Sequence, residues 1–158
     1  MAYSEAKTFM VENADIIFRN FEGREGPMNT KGQRNFCVFL DPEVALEMIE
    51  DDWNVKYLTA REEGEEDRPY IQVSVGYKTR PPRIVLISST GRTHLTEENV
   101  EILDVVDTSM VDLIARGYDW TVNGKSGTKA YVQSMFVTLE EDALERKYAV
   151  IEEADDGE

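Results

Sequence analysis

The sequence predicts a mainly β fold: a small Greek-key barrel with one inserted helix and one C-terminal helix. Three observations predict it. Short β-rich runs recur along the 158 residues, turn dipeptides and Gly/Pro-rich loops separate them, and helical spacing is confined to a few stretches. Strand pairs joined by loops of unequal length fit a five-stranded barrel better than a regular sandwich.

The elements follow in order. "ADIIFRNFEG" (14–23) and "QRNFCVFLD" (33–41) are β-rich and are separated by the loop "REGPMNTKG". Asp41-Pro42 opens a helix, with Asp as N-cap and Pro at the first helical position. Ala45, Met48, Ile49 and Trp53 recur at helical spacing and give it one buried face. "WNVKYLTA" (53–60) returns to strand, and "REEGEEDRP" is an acidic, solvated loop with five carboxylates. In "PYIQVSVGYK" (69–78), Ile71, Val73, Val75 and Tyr77 face one way and Tyr70, Gln72, Ser74 and Gly76 the other. That is a half-solvated antiparallel strand. "RPPRIVLISST" is apolar on both faces and so lies deeper, while "LTEENVEILD" holds a short helix capped by Thr96. "SMVDLIARGYDW" and "KAYVQSMFVTL" form a final hairpin, and "EEDALERKYAVI" reads as an amphipathic helix. The chain ends in "EEADDGE", five carboxylates in seven residues. No internal repeat appears. The expected organisation is one OB-like domain over residues 1–151 and a flexible acidic tail over 152–158.

The stretch "NGKSGTKAY" (123–131) resembles the end of a phosphate-binding loop, but the glycine needed five places before Gly124 is Asp119. β-rich runs flank it on both sides, so Asn123-Gly124 and Ser126-Gly127 read as turn dipeptides of a hairpin. No apolar run is long enough to cross a bilayer, and the first residues lack an apolar signal core, so a cytoplasmic location is expected. One cysteine rules out an internal disulfide, and with a single histidine it excludes a zinc site built on Cys and His. Cys37 reads as a buried, inert thiol. Asp104, Asp107 and Asp112 have no spacing that favours one face for Mg²⁺, and His94 has no catalytic partner in sequence. Neither an enzyme nor a cofactor is expected.

The formal net charge of −15 argues at first against nucleic acid, yet its distribution argues for it. Residues 16–39, 68–92 and 116–139 carry balances of +2, +5 and +2, which leaves −24 for the rest of the chain. These basic segments are also the strand-like ones. Single strands are held by a cationic groove that tracks phosphates and by aromatic faces on which bases stack, each stack worth ~1–3 kcal/mol. The sequence interleaves both ingredients. Arg19 stands near Phe21, Arg34 precedes Phe36, and Tyr77-Lys78 runs into Arg80 and Arg83. Tyr118 and Trp120 lie beside Lys125, Lys129 and Tyr131, with "NGKSGTK" as a flexible cationic finger. Arg19, Arg34, Phe36, Tyr77, Lys78, Arg80, Arg83, Tyr118, Trp120, Lys125, Lys129 and Tyr131 are therefore the expected nucleic-acid contacts. Glu152, Glu153, Asp155, Asp156 and Glu158 form a tail suited to compete for the groove or to dock on basic partners.

The runs "YIQVSVGYKTRPPRIVLISS" and "VDLIARGYDWTVNGKSGTKAYVQSMFVTLEEDALERKY", followed by an acidic terminus, resemble single-stranded DNA-binding proteins of tailed bacteriophages. The resemblance extends from about residue 12 to 150, and its most specific element is the "YDW…NGKSG.KAY.QS" block. It implies an OB-fold, sequence-tolerant binding of single-stranded DNA and no cofactor. It also implies an acidic tail contacting replication or recombination proteins, in the cytoplasm of an infected bacterial host. A homo-oligomer stays open. The competing expectation is an acidic DNA mimic that inhibits a host DNA-processing protein, which would spread carboxylates over its folded surface.

Overall fold

The structure is a computed structural model that describes residues 7–78 and 80–141. The expected C-terminal helix and the tail carboxylates Glu152, Glu153, Asp155, Asp156 and Glu158 lie outside the described residues, as does the expected boundary at 151. Nine strands form one sheet: β1 (Thr8–Val11), β2 (Ile16–Asn20), β3 (Arg34–Phe39), β4 (Val55–Leu58), β5 (Arg68–Val75), β6 (Arg83–Ser88), β7 (Gly91–Leu95), β8 (Thr108–Val122) and β9 (Lys125–Leu139). One helix, α1 (Pro42–Glu50), separates β3 from β4, and a 3-10 turn over Val100–Asp104 precedes β8.

The main path of the sheet runs β1-β8-β9-β5-β3-β2, with β4 on β5, and β6 bridging β9 and β7. Among the described residues, no ladder joins the terminal strands of this path to close the sheet. Its ends meet instead through the Ala14 amide, which donates to the Val111 carbonyl at 2.6 Å, and through side chains of β2 and the 3-10 turn. The Asp104 carboxylate accepts from the amides of Phe21 and Glu22 at 2.7 and 3.0 Å.

Strand alternation divides the sheet into two faces. The inner face of β5 carries Ile71, Val73 and Val75, all buried, as the alternation predicts. They pack on Phe36 and Val38 of β3, Leu113 and Ala115 of β8, and Ala130, Val132 and Met135 of β9. β5 pairs antiparallel with β3 and β4 but parallel with β9. Pro42 does open α1, although Asp41 makes no side-chain cap bond. Ala45 and Met48 are buried, whereas Ile49 is exposed, because the helix covers only one corner of the sheet.

Two strands escaped the sequence. "GRTHLT" reads as a turn, but Gly91–Leu95 pairs antiparallel with β6. Thr8–Val11 pairs with β8 and closes the edge of the long hairpin.

Candidate nucleic-acid interface

The β8–β9 hairpin dominates the molecule, with arms of 15 residues each. Only Asn123 and Gly124 form its turn. Both have positive φ, 52° and 79°, as a two-residue type I′ connection requires. Val122 pairs with Lys125 and Thr121 with Ser126, so the expected seven-residue flexible finger is mostly regular ladder. The ladder takes up these residues because their backbone groups find partners across the strand.

Residues directly opposite in a ladder share a face. Arg116 stands opposite Tyr131, Tyr118 opposite Lys129, Trp120 opposite Gly127 and Val122 opposite Lys125. These pairs all lie on the outer face, since Ala115, Ala130 and Thr128 on the alternate positions are buried. The Trp120 ring lies across Gly127, where an added Cβ would come within 2.9 Å of the indole. Tyr118 is 64% exposed and meets Tyr131 edge-on at 6.4 Å. The Lys129 ammonium sits 5.2 Å from the Tyr131 ring centre. The one hairpin carboxylate in this region, Asp119, points to the other side and accepts from the Thr128 hydroxyl at 2.7 Å.

A second cationic segment joins this face. β5 pairs with β9 at Ser74–Tyr131, and β6 rejoins the same edge of β9 at Arg83–Ser134. The connection between them therefore loops past Tyr131 and carries exposed Lys78 and Arg80 with it. Arg116 donates to the Arg80 carbonyl at 2.9 Å. Its guanidinium pKa is pushed down, first by desolvation and then by the charge of Arg80. Two guanidinium groups are thus held near each other, and exposed Arg83 stands 5.7 Å from the Phe136 ring centre. Among the described residues, none of Lys78, Arg80, Arg83, Arg116, Lys125 and Lys129 makes an ion pair. Arg116, which shares this face, is not among the contacts expected from the sequence, although stepping back two places from Tyr118 on an alternating strand reaches it.

The expected contacts on β2 and β3 sit differently. Phe36 is fully buried and stacks on Phe21 at 5.1 Å, so its ring is core and not a stacking platform for a base. Its position follows from register: it opposes Val73, on the inner face of β5. The Arg19 guanidinium donates to the carbonyls of Leu103 and Val106 at 3.0 and 2.8 Å and fastens β2 to the turn before β8. Arg34 faces Glu97 at 3.5 Å and lies 5.7 Å from the Tyr77 ring centre. Tyr77 is half-buried against the core, and burial pushes its hydroxyl up to about 12. Burial likewise pushes the Cys37 thiol up to about 11, which keeps it protonated and inert at neutral pH. Among the described residues, no three His, Cys, Asp or Glu side chains are placed to hold a metal ion, and no helix is long and apolar enough to cross a membrane.

The family model described as "phage ssDNA-binding domain" matches residues 1–158. This chain belongs to that family. No curated protein matches it in sequence. Among solved structures it is similar to the single-stranded DNA-binding protein of bacteriophage Enc34 in complex with ssDNA. The TM-score is 0.56 at 10% identity, covering 85% of this chain and 88% of that one. A second structure of the bacteriophage Enc34 protein matches at TM-score 0.54 and 11% identity, covering 85% of this chain and 82% of that one. The shared feature at this identity is the fold, mainly β and OB-like, as the sequence predicts.

Proposed function

We propose that this family member holds single-stranded DNA on the outer face of the β8–β9 hairpin, without base-sequence preference or cofactor, in phage DNA replication and recombination. The observation that carries this is the hairpin face itself. Between residues 116 and 131 its outward positions present Arg116, Tyr118, Trp120, Lys125, Lys129 and Tyr131 and no carboxylate, in a chain of net charge −15. Cations without counter-charges attract phosphates, and aromatic surfaces beside them take the faces of unstacked bases. A duplex keeps its bases stacked and offers only phosphates to such a surface, which is why the preference is for single strands. A DNA mimic would need carboxylates where this face has cations.

Lys78, Arg80 and Arg83 extend the cationic border, and the residues 152–158 serve as the acidic segment that docks on replication or recombination proteins. The protein works in the cytoplasm of the infected host and performs no chemistry on the strand.

A gel-shift series with single-stranded DNA, duplex DNA and RNA at two salt concentrations tests this. Single-stranded DNA should bind best, each neutralised phosphate contributing roughly 0.7 to the slope of log affinity on log salt. Comparable affinity for duplex DNA, or no binding at low salt, would overturn it.

A further inference from the structure

Phe18 is strained and exposed at once. Its φ of 52° lies in the left-handed region, which is costly for a bulky side chain, and its ring is 61% exposed. It occupies the middle of β2, where pairing with β3 shifts between Ile17 and Asn20. Neither the backbone nor the burial of Phe18 favours a phenylalanine there, so folding alone gives no reason for it.

Its neighbours supply one. The Phe18 ring meets Tyr70 edge-on at 6.3 Å. Tyr70 stands opposite Phe39 on one side and Lys56 on the other, so all three share the outer face of the sheet. The Arg68 guanidinium lies 3.5 Å from the Phe39 ring centre. Along β5 this group is four residues from Ser74, which pairs with Tyr131 of the hairpin face. That is ~13 Å of strand, and exposed Gln72 lies between on the same face.

We propose that Phe18, Phe39 and Tyr70, flanked by Lys56 and Arg68, form a second base-stacking platform for the same single strand. The bound strand then runs from the hairpin across β9, β5 and β3. This rests on the hairpin function argued above. Charge and continuity select nucleic acid as the occupant: cations alternate with rings here as on the hairpin, and the outer face connects the two groups. Among the described residues Arg68 makes one ion pair, with Asp15 at 3.4 Å, and both side chains are more than half exposed. A phosphate displaces such a weakly held surface pair readily. Beyond Arg68, the carboxylates of Glu62, Glu63, Glu65, Glu66 and Asp67 repel phosphate and end the track.

The test is the affinity for oligothymidylates of graded length. Wild-type affinity should climb with length until both platforms are spanned. Phe18→Gly should lose that gain, roughly 5–150-fold on the longest oligonucleotides, while the shortest bind as before. The same change should raise Tm, because glycine adopts positive φ without steric cost. Tyr70→Ala should show the affinity loss without the rise in Tm. Equal affinities of Phe18→Gly and wild type at every length would overturn the second platform. So would an altered oligomeric state with unchanged DNA affinity, which would assign the patch to a second copy. A wild-type protein that binds no single strand at any length would overturn the hairpin function itself.

Discussion

Arg19 and Arg116 both lie on strands among aromatic residues, yet their surroundings give them different work. On the β2 side, the Arg19 guanidinium donates to two backbone carbonyls, and Arg34, its side chain only 19% exposed, faces Glu97 at 3.5 Å. On the hairpin side, Arg116 uses one donor on the Arg80 carbonyl and keeps its charge beside another guanidinium. The aromatics divide in the same way: Phe36 is sealed in the core, while Tyr118 stands open. A guanidinium bonded to the carbonyls of another element, as Arg19 is, holds the fold together. One left without a counter-charge is available for phosphate. Residue type and clustering are the same in both regions, and what separates them is where each partner lies.

The sharpest way to break this comparison is Phe36→Ala. Loss of a fully buried ring should cost about 3–5 kcal/mol of stability, read by denaturant unfolding, while the folded fraction keeps wild-type affinity for single-stranded DNA. Trp120→Ala should do the reverse. Its half-exposed indole lies on the hairpin face, so affinity should fall by about 1–3 kcal/mol in a fluorescence-independent titration with only a small change in Tm. A large drop in Tm with intact binding would move Trp120 into the group that holds the fold. The smallest effect is expected from Lys125→Ala combined with Lys129→Ala. Tm should stay nearly constant, because exposed charges contribute little to stability, while binding at low salt weakens measurably.

The fold was legible where local chemistry decides the outcome. Asn123-Gly124 can be read as a hairpin turn because both residues tolerate positive φ. The alternation of β5 shows its buried face because that face meets the core directly. β7 was not legible, since Gly91, Arg92, Thr93 and His94 are exposed and carry no apolar period. Its pairing with β6 is a tertiary decision. In the proposed site, the hairpin aromatics and lysines could be collected from sequence, but their common face depends on the ladder register. Arg19 and Phe36 were drawn in by proximity in sequence, because nothing local reveals that Leu103, Val106 and Phe21 stand against them. Arg116 was passed over although its strand alternates. The register shift between Ile114 and Ala115 places its extra residue, Gln133, on β9, so the alternation of β8 runs unbroken through Arg116 to Tyr118.

The most direct measurement is the salt dependence of single-stranded DNA affinity for two double variants beside wild type, at a temperature where all three stay folded. Arg80→Gln with Arg116→Gln removes two cations of the hairpin side, and Arg19→Gln with Arg34→Gln removes two of the β2 side. The hairpin pair should lower the slope of log affinity on log salt by about 1.4, two phosphates at roughly 0.7 each. The β2-side pair should leave the slope unchanged. Equal losses of slope from the two pairs, or a larger loss from Arg19 and Arg34, would contradict the division of labour between the two regions.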